Sequence, residues 1–322
     1  MPTFETSRIT NLIGSGISRR WFLKAAAPFF ACGLQPWSAI QIPNEPERLG
    51  DDYILAARNR LLLLLTDERT RAGLSRLVLD DLACKVATEH AVDMAEHQFL
   101  SHWGSDGRKP YQRYSFAGGI DAVQENVSSA DNIQSLTAAS LVADLAEMHV
   151  SLFEEAAPSD GHRRTILHRR HTHVGFGIAL RDYSLRLDEL YLSKYVKIDS
   201  VQTQASPKAT VPISGRLLDQ NHALIAADVY YEALPAPPSI DWLRTPRPWG
   251  LPEVRVTLRP RLPRKSVYVD GSKGTIERDK AGFWFPVVLF NEKPGIYTVL
   301  IWLARSKSDE PFPATEICIR AE

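Results

Sequence analysis

Imidazole and carboxylate side chains crowd one stretch of this sequence. Eight of the nine histidines lie between His90 and His173. Within that stretch, Phe99-Leu100-Ser101-His102 precedes a Gly-Ser-Asp-Gly loop, and Gln124-Glu125-Asn126-Val127 follows a glycine pair. Gly161-His162-Arg163-Arg164-Thr165-Ile166-Leu167 follows a break at Pro158, and Thr172-His173-Val174-Gly175-Phe176-Gly177 comes soon after. Neutral imidazole offers a nitrogen ligand and carboxylate a hard oxygen ligand, so such groups meeting in a cleft could hold Zn²⁺ or a similar divalent ion. Without metal, a carboxylate beside an imidazole raises the histidine pKa and makes an acid/base pair. The sequence has no H-E-x-x-H or C-x-x-C spacing, and no nucleophile elbow, P-loop or Ser/His/Asp triad context. A metal site therefore requires the fold to bring distant segments together.

The elements that must do so follow from periodicity. Leu55, Leu61, Leu62 and Leu65 predict a helix over 52–72, ended by Gly73. Leu82, Val86, His90 and Met94 stand four apart and predict a second helix from Asp80 to His97, with Asp80 or Asp81 as N-cap. On that helix His90 reads as a core or rim residue, and His97 as a C-terminal one where a cation is favoured. A polar loop, Ser101 to Lys109, leads to a short helix from Pro110 to Phe116. Residues 134–156 form the longest helical pattern, and a helical turn follows at 162–168. Residues 173–180 and 188–198 alternate as an antiparallel strand pair. The first half is thus α+β.

The second half differs. Fourteen of 21 prolines lie after residue 200. Short strand-like runs at 210–216, 223–234, 254–259, 266–270, 283–290, 295–303 and 314–320 are separated by turn signals such as Asp270-Gly271 and Pro294-Gly295. This spacing suits an all-β immunoglobulin-like sandwich. Trp284 and Trp302 fall in strands and read as core, whereas Trp242 and Trp249 lie in a proline-rich loop and read as surface candidates for sugar stacking.

The ordered motifs of the first half, with Asn59, Glu68, Arg69 and Gly73 in the first helix, resemble the CAP superfamily: cysteine-rich secretory proteins, antigen 5 and plant pathogenesis-related proteins, and in particular the disulfide-free bacterial SCP-like branch. The resemblance reaches to about Val196. It implies a CAP-like α-β-α sandwich with a cleft lined by two histidines and two acids. Matched motif by motif, these are His102, Glu125, Glu155 and His162, the candidates for metal ligation or catalysis. Glu155 is chosen over its neighbour Glu154 by spacing. Gln124 stands where the family has glycine, and Leu152 where it has tryptophan. His149, about two turns before Glu155, could line the same cleft. Arg113 matches a family arginine and reads as a structural anchor, Asn126 as a turn residue. His168, His171 and His173 with Arg163, Arg164, Arg169 and Arg170 form a basic run, either a solvated loop or a contact for anionic polymer or lipid headgroups.

The N-terminal segment Ser18-Arg19-Arg20-Trp21-Phe22-Leu23-Lys24, followed by a short apolar run and Trp37-Ser38-Ala39, resembles a twin-arginine (Tat) export signal. The expected organisation is signal 1–39, linker 40–51, CAP/SCP-like domain 52–199, linker 200–210 and β-sandwich 211–322. A competing reading makes Cys32 a lipid anchor. Cleavage after Ala39 removes four basic groups and one acidic group, and leaves 34 basic against 37 acidic. With a net charge of zero over the whole chain, a globally basic nucleic-acid binder is excluded. Three cysteines exclude a disulfide framework, and Cys84 and Cys318 read as buried free thiols. No other apolar run reaches the roughly 18 residues of a spanning helix, so no transmembrane helix is expected in the mature chain.

Two function classes follow. One is an exported periplasmic or secreted binding module for a lipid, a cell-wall fragment or other extracellular polymer, or a divalent metal. The other is a metal- or water-assisted hydrolase of envelope or extracellular polymers. Oligomeric state is not encoded in these motifs.

Overall fold

Tyr53, Ala57, Leu61 and Leu65 recur every four residues and bury one stripe of helix α1 (Asp51–Arg71). In the computed structural model, which describes residues 51–279, 282–306 and 308–322, this stripe packs against α4 (Ala138–Phe153). The twin-arginine segment, Cys32 and residues 40–50 of the expected linker lie outside the described residues. Helix α2 (Asp81–Glu96) starts where the Asp80 carboxylate accepts the Ala83 N–H at 2.8 Å. Its C-cap is His97. The other helices of this half are α3 (Pro110–Phe116) and α5 (Gly161–Ile166).

These helices cover a four-stranded sheet of β1 (Val78–Leu79), β2 (Ala122–Asp131), β3 (His173–Arg181) and β4 (Ser184–Ser193), ordered β1-β3-β4-β2. Period-two alternation sorts the side chains. Val174, Phe176, Ile178, Leu187 and Tyr191 face α1 and α4. Val123, Leu190 and Leu192 face α2 and α3. On β3 the α2-facing positions include Gly175 and Gly177, where any Cβ would overlap the backbone at Ala83 and Ala87. The glycines of the T-H-V-G-F-G segment thus let α2 lie flush on the sheet, which sets the depth of the residues α2 carries.

The C-terminal half is all-β apart from α6 (Ile240–Leu243). Its strands are β5 (Val196–Ser200), β6 (Gln204–Ala205), β7 (Thr210–Leu217), β8 (Ala223–Glu232), β9 (Arg255–Leu258), β10 (Glu277–Arg278), β11 (Gly282–Val288), β12 (Gly295–Ala304), β13 (Phe312–Pro313) and β14 (Ile317–Ala321). One sheet runs β10-β11-β7-β5 and the other β6-β14-β12-β8-β9, with β13 beside β12. Val211, Ile213, Phe283 and Phe285 of the first meet Val299, Ile301, Ile317 and Ile319 of the second in one apolar core.

Several elements differ from the sequence expectation. The ten-residue strand β2 occupies a stretch whose polar composition, Gln124-Glu125-Asn126 and Ser128-Ser129, hides the alternation. The strand expected over 188–198 divides at Lys194-Tyr195: the earlier part is β4, and Val196–Ser200 pairs with β7 of the other half. Residues 266–270 form no strand; a turn closes there through Gly271 N–H to Tyr268 O at 2.9 Å. Nor do the halves meet only at residues 200–210. Val123 N–H donates to Glu316 at 2.8 Å, Cys318 N–H to Ser115 Oγ at 2.8 Å, and Arg170 to both oxygens of Asp309 at 2.9 and 2.7 Å. Trp249 packs on Tyr111, and Trp242 meets Trp103 edge-on at 5.3 Å, so both loop tryptophans serve this junction rather than standing free. Trp284, expected in the core, is 46% exposed. Trp302 is half-buried and donates to Asp228 at 2.9 Å.

Candidate functional site

Strand β2 lies at the sheet edge, and its neighbouring residues Glu125 and Asn126 point to opposite faces. Glu125 stands on the α2 side. One of its oxygens meets His102 Nδ1 at 2.9 Å, and the other accepts from the Arg113 guanidinium. Arg113 also donates to the carbonyls of His102 at 2.8 Å and Arg108 at 3.0 Å, so it ties the His102 loop to the strand. Burial alone would raise the Glu125 carboxyl; the Arg113 guanidinium and the His102 hydrogen bond outweigh it and hold the pKa at about 2. Glu125 is therefore an anion at neutral pH.

The second pair forms where the chain doubles back after α4. His162 Nδ1 meets Glu155 Oε1 at 2.6 Å, and the His162 N–H donates to Glu155 Oε2 at 3.0 Å. Glu154, the C-cap of α4, is exposed, and Glu155 is the glutamate that meets His162. Asn126 Nδ2 reaches round the sheet edge to His162 O at 3.3 Å and joins the two pairs. Asn126 is thus a bridge rather than a turn residue. A carboxylate on Nδ1 makes that nitrogen the protonated one. The two Nε2 atoms make no hydrogen bond among the described residues and are available to a ligand. The side chains of His102 and His162 are 15% and 29% exposed, whereas that of Glu125 is sealed at 1%.

Beneath His102 lies a group that sequence reading missed in part. A ring nitrogen of His90, a Glu125 oxygen and an Asp188 oxygen all lie within 4.8 Å of one another, an arrangement that could hold a metal ion. It is the one such group of three among the described residues. Asp188 pairs with Val127 across the β2–β4 ladder, which puts it on the Glu125 face. Burial, with the Glu125 carboxylate close by, raises the Asp188 carboxyl well above the ordinary range. Burial, with Arg113 nearby, lowers the His90 imidazole to about 4, so it is neutral at pH 7. The signal for His90 was its place on the buried face of α2. Asp188 had no motif to mark it.

On the other face, His149 is not a cleft residue. It is fully buried between Glu189 (Nδ1, 2.6 Å) and Glu68 (Nε2, 2.9 Å), and Tyr191 donates to Glu189 at 2.8 Å. Against the opposing effect of burial, the two carboxylates raise the imidazole to about 10. The basic run is neither a solvated stripe nor a free anion contact throughout. Arg163 donates to Phe153 O at 2.6 Å, Arg164 pairs with Asp160 at 3.3 Å, and Arg170 is taken by Asp309. His171 is buried, with Nε2 against Gln124 Oε1 at 2.9 Å, which gives the glutamine at the family's glycine position a structural use. Cys84 and Cys318 are both buried and free. No helix among the described residues is long and apolar enough to cross a membrane.

Comparison with known proteins agrees with this arrangement of strands, helices and motifs. Residues 62–190 match the model of the CAP family, the cysteine-rich secretory protein family, and this segment is a CAP domain. Similar solved structures include an extracellular protein containing a SCP domain from Bacillus anthracis str. Ames, at 19% identity and TM-score 0.34, with 49% of this chain and 45% of that one covered. An outer surface protein from Borrelia burgdorferi is 18% identical with TM-score 0.33, over 44% of this chain and 93% of that one. The CAP domain of enterococcal PrgA is 18% identical with TM-score 0.30, over 42% and 59%. The chain thus spans less than half the length of the first of these. No curated protein matches the chain.

Proposed function

We propose that this is an exported binding protein, periplasmic or secreted, whose CAP-domain cleft between the His102–Glu125 and His162–Glu155 pairs takes its ligand at the cell envelope. The pairing itself carries the reading. Each imidazole is oriented through Nδ1 by a carboxylate, so Nε2 stands ready as an acceptor or metal ligand. Two such nitrogens accept a divalent ion such as Zn²⁺, or the polar head of a lipid or cell-wall fragment. Glu125 and Glu155 complete the site by fixing tautomer and direction. Binding is preferred over covalent hydrolysis because both described cysteines are buried and the sequence shows no nucleophile motif.

Calorimetric titration of Zn²⁺ into the full chain tests the cleft. The expected result is a binding event that His102→Ala and His162→Ala each weaken at least about tenfold. A titration indifferent to both substitutions sinks the metal form of the reading. Cleavage of a wall polymer by the wild type, lost in His102→Ala and Glu125→Ala, would replace binding by hydrolysis. Export is tested by Arg19→Lys with Arg20→Lys, where unchanged delivery out of the cytoplasm contradicts the twin-arginine route. Acylation at Cys32 would make the protein lipid-anchored.

A further inference from the structure

Behind the cleft, the His90–Glu125–Asp188 group carries three polar atoms that the described residues leave unanswered. His90 Nδ1 and both carboxylate oxygens of Asp188 are buried without a hydrogen-bond partner among the described residues. The residues themselves are 1% exposed in each case, and Glu125 is 5% exposed. Buried polar atoms are nearly always paired, and an unpaired carboxylate is among the most costly groups to enclose. Orphaned atoms on two residues of one close-set group with the Glu125 carboxylate therefore call for an occupant.

The chemistry of the atoms narrows what it is. His90 Nε2–H donates to the Ser101 carbonyl at 2.8 Å, which fixes the tautomer and leaves a lone pair on Nδ1. Asp188 offers two oxygens, and Glu125 is a carboxylate already steadied by His102 and Arg113. One nitrogen and carboxylate oxygens, with no sulfur, form a donor set for Zn²⁺ or Mn²⁺. A proton shared between Asp188 and Glu125 would answer one oxygen and leave the other, and His90 Nδ1, bare. A water on Nδ1 together with that proton is the metal-free state of the group. A divalent cation answers all three atoms and the charge together.

We infer that His90, Glu125 and Asp188 form a buried divalent-cation site, separate from the two outward imidazole nitrogens of the cleft and joined to them through Glu125. The inference does not rest on the proposed cleft function. An ion here lies on the strand residue that orients His102, so it also steadies one wall of the cleft.

The test is metal uptake by the full chain after chelation, with Zn²⁺ and Mn²⁺ each used as probe and bound metal counted by mass spectrometry after dialysis. The expected result is one tightly held ion that Asp188→Asn and His90→Gln each weaken about 10- to 100-fold or more, and that His162→Ala retains. Circular dichroism on each variant confirms that it is folded, and the near-isosteric Asp188→Asn serves where His90→Gln fails to fold. No ion held by folded wild type overturns the inference in favour of water or a proton. An ion kept by Asp188→Asn but lost in His162→Ala also overturns it and supports the cleft reading instead.

Discussion

Strands β2 and β4 carry a histidine–carboxylate group on each of their two faces, built from residues adjacent in sequence. On the α1/α4 face, Glu189 receives His149, Tyr191 and Asn126, and His149 has a carboxylate on both ring nitrogens. On the α2 face, Asp188 has no donor and His90 has one nitrogen unanswered among the described residues. Burial is the same on both sides, so burial does not separate them. Satisfaction does: a closed network holds a fold together, whereas an open one of equal cost persists where something else completes it.

The largest effect belongs to the closed face. His149→Ala leaves Glu68 and Glu189 enclosed without their cation, and the expected loss is about 3–5 kcal/mol in chemical denaturation. A loss below about 1 kcal/mol would mean that this face, too, is open to another occupant.

The pH dependence comes next. The His149 pKa is raised from 6.5 to about 10, so its contribution is fully present below 6.5 and is lost as pH rises through 10. The stability difference between wild type and His149→Gln should therefore shrink by roughly 2–4 kcal/mol between pH 6.5 and pH 10, after allowance for the shared Glu189 interaction. A difference that stays constant over that range contradicts a charged His149.

A smaller effect follows from the packing that sets the open face. Gly177→Ala pushes a methyl into the α2 backbone beside Ala87 and lifts the helix that carries His90. The expected cost is about 1–3 kcal/mol by thermal unfolding, with metal uptake weakened in parallel. Unchanged stability would show that α2 can shift freely.

The smallest belongs to Asp188. In the metal-free chain burial and the Glu125 carboxylate raise its carboxyl well above the ordinary range and so favour the neutral form, which Asp188→Asn imitates in charge and shape. Metal-free stability should change by less than about 1 kcal/mol. The contrast with His149→Ala is the measure of how different the two faces are.

Local pattern determined much of this protein. Leucines at helical spacing place α1, Asp80 begins α2, and Pro110 with the following glycine pair bounds α3, because each depends on neighbours within a few residues. The motifs around His102, Glu125 and His162 marked the CAP segment, and spacing chose Glu155, which meets His162, over Glu154. What lay outside local pattern needed the ladder. Strand β2 is polar on both faces because each face meets a histidine from a different helix, so no hydrophobic alternation betrays it. The register of β2 on β4 places Asp188 beside Glu125 and Glu189 beside His149, and a one-residue slip would exchange their faces. Which histidine is closed between two carboxylates, which keeps Nε2 unbonded among the described residues and which joins the buried acidic group was decided there, since residue type sets what a side chain can bind but only packing sets which of its atoms remain unbound.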